Sequence, residues 1–190
     1  MLKRLEEGST RTVTSAEGQP EKYVLMNFEV SWDVMPDVAV EALPEATRER
    51  MDELFELVHA KPQKAVQELR EMMVLHPEVP CLTNWLINCL RAGTKADRRE
   101  AMELCQGLFS RMPDYFFART TLADLWLDER DVDKAAELIF GPGCVLTRLY
   151  PERKVFHISE VRHWFYLCAR IKILRGEPEI AVGWQLAYGI

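Results

Sequence analysis

Three residues near the start of a helix-like stretch have the types and spacing that could bind a metal. His157, Glu160 and His163 follow the pattern H-x2-E-x2-H, and both residue types are zinc ligands. His157 and Glu160, three residues apart, share one helix face. His163 lies about 120° further around a helix of 3.6 residues per turn. The three side chains therefore do not converge, and we predict no metal, no cofactor and no enzyme.

Two interpretations of these residues stay open. In the first, they mark a helix N-terminus, where the helix dipole favours Glu160 and His157 bonds locally. In the second, a metal-dependent enzyme uses His157 and Glu160. A further glycine-rich segment at residues 141–143 precedes Cys144, but it is shorter than a phosphate loop and follows no strand. We interpret it as a turn.

The cysteines and the apolar runs indicate the compartment. The chain has 5 cysteines, an odd number without CxxC spacing, so the sequence predicts neither a disulfide framework nor a zinc site. The first residues are charged and lack the apolar run of a secretory signal. No apolar run approaches the length of a membrane span. Together these features predict a cytoplasmic protein that does not bind membranes.

Residues 116–139 predict the helix pair around which the rest is organised. Apolar residues at i, i+4, i+7 and i+8 form one stripe on the first helix, namely Ala118, Leu122, Leu125 and Trp126. A polar turn at residues 128–131 and a second apolar stripe follow. Two amphipathic helices joined by a short turn predict an antiparallel hairpin.

Similar helix pairs recur along the chain. We predict helices over residues 45–60 and 62–76, a hairpin over residues 80–112, a long helix from about 157 that Gly176 ends, and a final helix from Pro178. A capping box at Asp97 and Glu100 is expected to start the second helix of the 80–112 hairpin. Small residues recur at the expected helix crossings with spacings of 36, 34 and 46, namely Ala65, Ala101, Ala135 and Ala181.

These residues resemble the tetratricopeptide repeat, whose pattern is W-x2-L-G-x2-Y, A-x3-F and P over roughly 34 residues. Thr83 and Arg119 stand where that family has its first aromatic, and Leu90 and Trp126 keep the bulk of its third position. The resemblance covers roughly residues 44–190. It implies an all-α array of three to four antiparallel helical hairpins over that range. An N-terminal arm or short β element would occupy residues 1–43.

The resemblance also implies a concave groove that binds a peptide or a protein partner. Carried onto this sequence, the groove residues of the family fall on Asn84, Asn88, Arg91, Thr120, Asp124, Tyr166 and Arg170, with Cys81, Phe117, Asp128 and His163 beside them. Asn84 and Asn88, four apart, suit hydrogen bonds to a peptide backbone. Arg91 and Arg170 are the candidates for binding a terminal carboxylate, but Asp124 opposes that assignment. Equally, these polar residues form a solvated helix face.

The N-terminal segment changes to a period of two. Six apolar residues alternate with polar ones and predict a strand over residues 23–34, namely Val24, Met26, Phe28, Val30, Trp32 and Val34. This strand would pair with residues 10–14, pair with a second copy, or form an arm along the helices. The C-terminal helix is apolar on more than one face. A homo-oligomer that buries Trp184 or Trp32 is therefore an alternative function, and an arm folding back onto its own chain competes with it.

Charge limits the class of partner. The net charge is −6, which argues against nucleic acid, since phosphate binding requires a basic surface. Residues 144–175 hold seven basic and two acidic side chains, whereas residues 114–137 hold seven acidic and three basic ones. Either these neighbouring segments attract each other, or the basic segment receives an acidic partner. The predicted function is a protein-interaction module, with self-association as the first alternative.

Overall fold

The computed structural model describes residues 10–14, 20–24, 28–33, 35, 37–141, 146–178 and 180–181. Most of these residues are helical, which confirms the predicted all-α class. Cys144, Trp184 and most of the predicted C-terminal helix lie outside the described residues.

The elements follow one another in a simple order. Three strands come first: β1 (Thr10–Thr14), β2 (Pro20–Val24) and β3 (Glu29–Ser31). The helices that follow are α1 (Val38–Glu41), α2 (Glu45–Ala60), α3 (Pro62–Leu75), α4 (Pro80–Arg91), α5 (Lys95–Arg111), α6 (Phe116–Asp128), α7 (Val132–Phe140) and α8 (Leu146–Leu149). Strand β4 (Val155–His157) leads directly into the long helix α9 (Ile158–Leu174).

Two short strands lie where the sequence predicted one strand over residues 23–34. β2 ends at Val24 and β3 begins at Glu29, while residues 25–27 and 34 lie outside the described part. β1 pairs antiparallel with β2. β3 pairs in parallel with β4, and the Glu29 amide donates to the Lys154 carbonyl at 2.8 Å. Because β4 is more than a hundred residues away, local periodicity could not reveal this pairing.

The end of the N-terminal segment therefore folds back onto its own chain. β3 contacts α9 as well as β4. The Phe28 ring packs edge-on against the buried Phe156 ring, with 5.2 Å between the ring centres. The arm alternative expected this segment to cover the C-terminal end of the chain, and residues 182–190 lie outside the described part.

Contacts within the chain divide it into two compact units. Residues 35–125 form one of them. In it α2 contacts α3 and α4, α3 contacts α4, and α4 contacts α5. The predicted domain boundary between residues 43 and 44 stays a prediction.

The other unit contains the described residues of 1–34 and 126–190. In it α7 packs against α9, and β3 and β4 also contact α9. Two ion pairs form within this unit, one between Arg170 and Asp128 and one between Arg175 and Asp133, each with 2.8 Å between nitrogen and oxygen. They join the basic segment to the acidic one, as the interpretation of mutual attraction expected.

The capping box of α5 begins three residues before the predicted one, so that prediction was wrong. Thr94 is the N-cap, and its hydroxyl accepts from the Asp97 amide at 3.2 Å. The Asp97 carboxylate accepts from the Thr94 amide at 2.7 Å. The Thr–Asp pair satisfies two amides that the helix leaves without partners. After α9, Gly176 adopts a left-handed φ of 76°, as a glycine that ends a helix should.

Helix α6 is buried around nearly its whole circumference, so the predicted single apolar stripe was wrong. Its buried side chains are Phe116, Ala118, Thr120, Thr121, Leu122, Ala123, Asp124, Leu125 and Leu127. Several of them are polar, and a buried polar group without a partner is costly. The fold must therefore supply a hydrogen-bond partner for each of them.

The four alanines expected at helix crossings, Ala65, Ala101, Ala135 and Ala181, are completely buried. We predict that Ala135→Leu lowers the free energy of unfolding by about 1–3 kcal/mol, because the larger side chain overpacks a filled interior. Glu137→Leu introduces the same residue at an exposed position of the same helix and should change it by less than about 0.5 kcal/mol. Urea unfolding measures both. Equal effects would mean that the alanine is not at a close contact.

Candidate functional site

The two asparagines predicted to hold a peptide lie in different environments. Asn84 is only 7% exposed, and its amide oxygen accepts from the Thr121 hydroxyl at 2.9 Å. Asn88, one turn later on α4, is exposed. Because the buried Asn84 amide already bonds a neighbouring helix, it stabilises the fold. Within this pair, only Asn88 presents its amide to solvent.

Three further predicted groove residues are also engaged inside the fold. Arg91 and Asp124 form an ion pair at 2.6 Å, and the Asp124 side chain is 9% exposed. The Thr120 hydroxyl donates to the Phe116 carbonyl one turn earlier on α6. These bonds give all three side chains a structural role. A peptide-binding role for them stays a prediction.

His157 and Glu160 form the N-terminus of α9. Glu160 accepts two bonds from the Arg153 guanidinium, at 3.0 and 2.7 Å, and a third from the His157 amide at 3.0 Å. The Ser159 amide donates to Nδ1 of His157, which closes the cap. Both side chains thus have the local capping role that the first interpretation gave them. The described residues contain no group of three histidine, cysteine or acidic side chains suited to a metal ion.

Two buried thiols, those of Cys81 and Cys105, are poor nucleophiles. Burial, together with a smaller effect of the nearby Asp37 carboxylate, raises the pKa of Cys81 to about 12. Burial also raises the pKa of Cys105 to about 12, and its thiol donates to the Ala118 carbonyl at 3.6 Å. A thiol with such a pKa is almost wholly protonated at neutral pH. Neither residue therefore supports covalent catalysis.

The exposed side of α9 carries a surface depression of about 350 Å³. Its lining consists of Ile158, Ser159, Arg162, His163 and Tyr166. Two neighbours extend this surface: Trp32, which follows β3, and Arg170, one turn beyond Tyr166. We call these seven residues the α9 face. Tyr166 and Arg170 belong to the predicted groove set.

Aromatic rings and guanidinium groups alternate along the α9 face. The Arg162 guanidinium lies 5.8 Å from the Trp32 ring centre, and the Arg170 guanidinium lies 6.0 Å from that of Tyr166. Trp32 is 65% exposed and Tyr166 is 38% exposed. Cation–π contacts of this kind hold large side chains in place while leaving their surfaces accessible. The α9 face is therefore an ordered aromatic surface in contact with solvent.

Sequence reasoning found part of this surface. The resemblance to the tetratricopeptide repeat implied that Tyr166, Arg170 and His163 face the groove on its last helix. Trp32 was assigned to the N-terminal strand, and Arg162 was counted only among the basic residues. Trp32 reaches Arg162 because β3 pairs with β4, and nothing in the local sequence encodes that pairing.

Comparison with protein-family models, with curated proteins and with solved structures found no match for this chain. In the described part of the chain, no helix combines the length and the apolar character needed to cross a membrane.

The two asparagines of α4 provide a test of their assigned roles. We predict that Asn84→Ala lowers the free energy of unfolding by about 1–3 kcal/mol, because it leaves the Thr121 hydroxyl unpaired in the interior. Asn88→Ala, on the same helix but exposed, should change it by less than about 0.5 kcal/mol. Urea unfolding of the two variants measures the difference. If the two variants were equally stable, Asn84 would face solvent in the predicted groove.

Proposed function

We propose that this chain is a protein-interaction module of tetratricopeptide-repeat type that binds a protein or peptide partner through the α9 face. The proposed architecture is an array of helical hairpins. Contacts between successive helices, α2 with α3 and α4 with α5, support it. The complete burial of the four alanines at the expected crossings supports it further. We propose binding rather than catalysis, because His157 and Glu160 are engaged in the cap of α9.

The observation that carries the proposal is the composition of the α9 face. Tryptophan, tyrosine and arginine are the residue types most enriched among side chains that dominate binding energy. All three types lie at or beside one depression here, because Arg162 and Tyr166 line it while Trp32 and Arg170 contact those two side chains. Trp32, which follows β3, is 65% exposed, although tryptophan is highly buried on average. Covering this surface would remove apolar area from water, which favours association.

The contacts of the α9 face indicate what its partner offers. Ile158 and Tyr166 line the depression, so an apolar or aromatic side chain fits it best. Arg170 already pairs with Asp128, so this arginine contributes a stacked planar surface more than a net positive charge. Specificity would therefore come from shape and from hydrogen bonds at the rim, with a small dependence on salt.

Self-association is the second candidate, and the exposure of Trp32 favours it. A two-fold pair of chains could cover the α9 face with the same face of a second copy. Sedimentation at several concentrations separates the two candidates. A mass that rises with concentration, and that Trp32→Ala restores to a single chain, would support self-association. We extend the proposal to the cytoplasm, because the four described cysteines form no disulfide: Cys81, Cys89, Cys105 and Cys168.

We predict that Trp32→Ala and Tyr166→Ala each reduce partner capture from a lysate of the native host at least fivefold. Leu75→Ala, which also removes an exposed apolar side chain but from α3, should leave capture unchanged within twofold. Quantitative mass spectrometry of the captured proteins measures the ratios. Because Trp32 and Leu75 are 65% and 68% exposed, their variants should change the free energy of unfolding by less than about 0.5 kcal/mol. Tyr166 is 38% exposed, so urea unfolding verifies separately that Tyr166→Ala remains folded.

A photo-crosslinker identifies the contacting surface directly. With p-benzoylphenylalanine in place of Tyr166, the captured protein should become covalently attached. The same group in place of Leu75 should give no adduct. Equal capture by all variants, or equal crosslinking from both positions, would contradict a role for the α9 face.

A further inference from the structure

A second exposed aromatic surface lies on the other unit of the chain. Phe55 on α2 is 42% exposed, and its ring lies 5.3 Å from that of Trp85 on α4. The ring of His59, one turn beyond Phe55, is tilted against the Phe55 ring with 4.3 Å between the ring centres, and His59 is also exposed. The His59 Nδ1 lies 2.8 Å from the Phe55 carbonyl, which orients the imidazole. The exposed rings of Phe55 and His59 and the half-buried ring of Trp85 form an aromatic ridge.

The charge beside this ridge is mainly acidic, although the exposed Arg48 also lies next to it. Exposed carboxylates follow the helix at i, i+4, i+7 and i+11, as Glu45, Glu49, Asp52 and Glu56. At 100° per residue these positions stay within about 60° of each other, so they form one stripe. Over eleven residues the stripe is about 16 Å long. Asp52 precedes Phe55 by three residues and Glu56 precedes His59 by three, so the acidic stripe borders the aromatic ridge.

None of these four carboxylates forms an ion pair or a side-chain hydrogen bond with another described residue. The neighbouring Glu53 differs, because it pairs with Arg50, which also binds Glu68 on α3. Arg48 flanks the stripe without pairing to it. Like charges at i and i+4, such as Glu45 with Glu49 and Asp52 with Glu56, destabilise a helix. A cationic partner would remove that repulsion.

We call the aromatic ridge and the acidic stripe together the α2 face. We propose that the α2 face binds a basic amphipathic peptide segment of a partner protein. Lysine or arginine side chains of the segment would pair with Glu45, Glu49, Asp52 and Glu56. Its apolar side would cover Phe55, and a cationic group placed over Phe55 or Trp85 would gain a cation–π contact. The complementary charge selects this occupant over an acidic peptide or a nucleic acid. The surface belongs to a different unit from the α9 face and does not depend on the function proposed for that face.

The test uses the full chain and a fluorescein-labelled 14-residue peptide of leucine and lysine in amphipathic helical spacing. Its matched control is the same peptide with glutamate at every lysine position. Fluorescence anisotropy should show saturable binding of the basic peptide and none of the acidic one. Raising the salt from 50 to 300 mM should weaken the binding severalfold, because exposed charges are screened.

Variants locate the binding on the chain. The double variant Glu49→Lys/Asp52→Lys should lower the affinity for the basic peptide at least tenfold, and Phe55→Ala should lower it about fivefold. The control Glu103→Lys/Glu137→Lys changes the net charge equally at exposed positions elsewhere and should stay within twofold of the unaltered chain. Thermal melts followed by circular dichroism verify that every variant folds.

Three results would overturn the proposal. If the control double variant loses as much affinity as the α2 variant, peptide binding depends only on the net charge of the chain, which is −6. If the acidic peptide binds equally well, the ridge binds peptides without regard to their charge. If Phe55→Ala changes the sedimenting mass of the protein and leaves peptide binding intact, the ridge is a contact with a second copy.

Discussion

The burial of helix α6 is the constraint on which the rest of the structure depends. A helix buried on nearly every side cannot send its polar side chains to water, so neighbouring elements must satisfy them. Thr121 donates to Asn84, Asp124 pairs with Arg91, and Thr120 bonds the carbonyl of its own preceding turn. Because Asn84 and Arg91 both lie on α4, these bonds also fix the position of α4 relative to this part of α6. An apolar stripe alone would have fixed the contact area, whereas the polar pairs fix the register.

This constraint decides which surfaces remain for a partner. The polar residues of α4 and α6 that suggested a groove are largely used within the fold. Exposed aromatic side chains lie elsewhere, on the α9 face around Trp32 and Tyr166 and on the α2 face around Phe55. The two faces differ in chemistry. Guanidinium groups beside aromatic rings and an ion pair characterise the first, whereas a stripe of carboxylates that form no ion pair with a described residue characterises the second. Both proposals therefore rest on exposed aromatic side chains and not on the predicted groove residues of α4 and α6.

The sequence predicted the helices well because their apolar periodicity is local. The helix over residues 45–60 has its predicted bounds, and the alanines expected in the interior are buried. Most of the failures share one cause, since each of these involves a partner far along the chain, whereas the capping box of α5 was misplaced locally by three residues. Asn84 looked like a solvent-facing amide because Thr121, its partner, is 37 residues away. We predicted one continuous N-terminal strand, because the sequence does not reveal β4 as the partner of β3. At α6, apolar spacing indicated one buried side, but polar residues paired within the fold allow almost all sides to be buried.

The coupling free energy between Arg91 and Asp124 tests most directly whether residues predicted to form the groove are used to hold the fold. It is obtained from urea unfolding of the unaltered chain, Arg91→Ala, Asp124→Ala and the double variant. Because the Asp124 side chain is 9% exposed, we expect a coupling of about 1–3 kcal/mol. The Arg70–Glu100 pair, whose side chains are 41% and 35% exposed, provides the comparison and should give below about 1 kcal/mol. Additive effects within about 0.3 kcal/mol for Arg91 and Asp124 would contradict the account, because both side chains would then be available to a ligand.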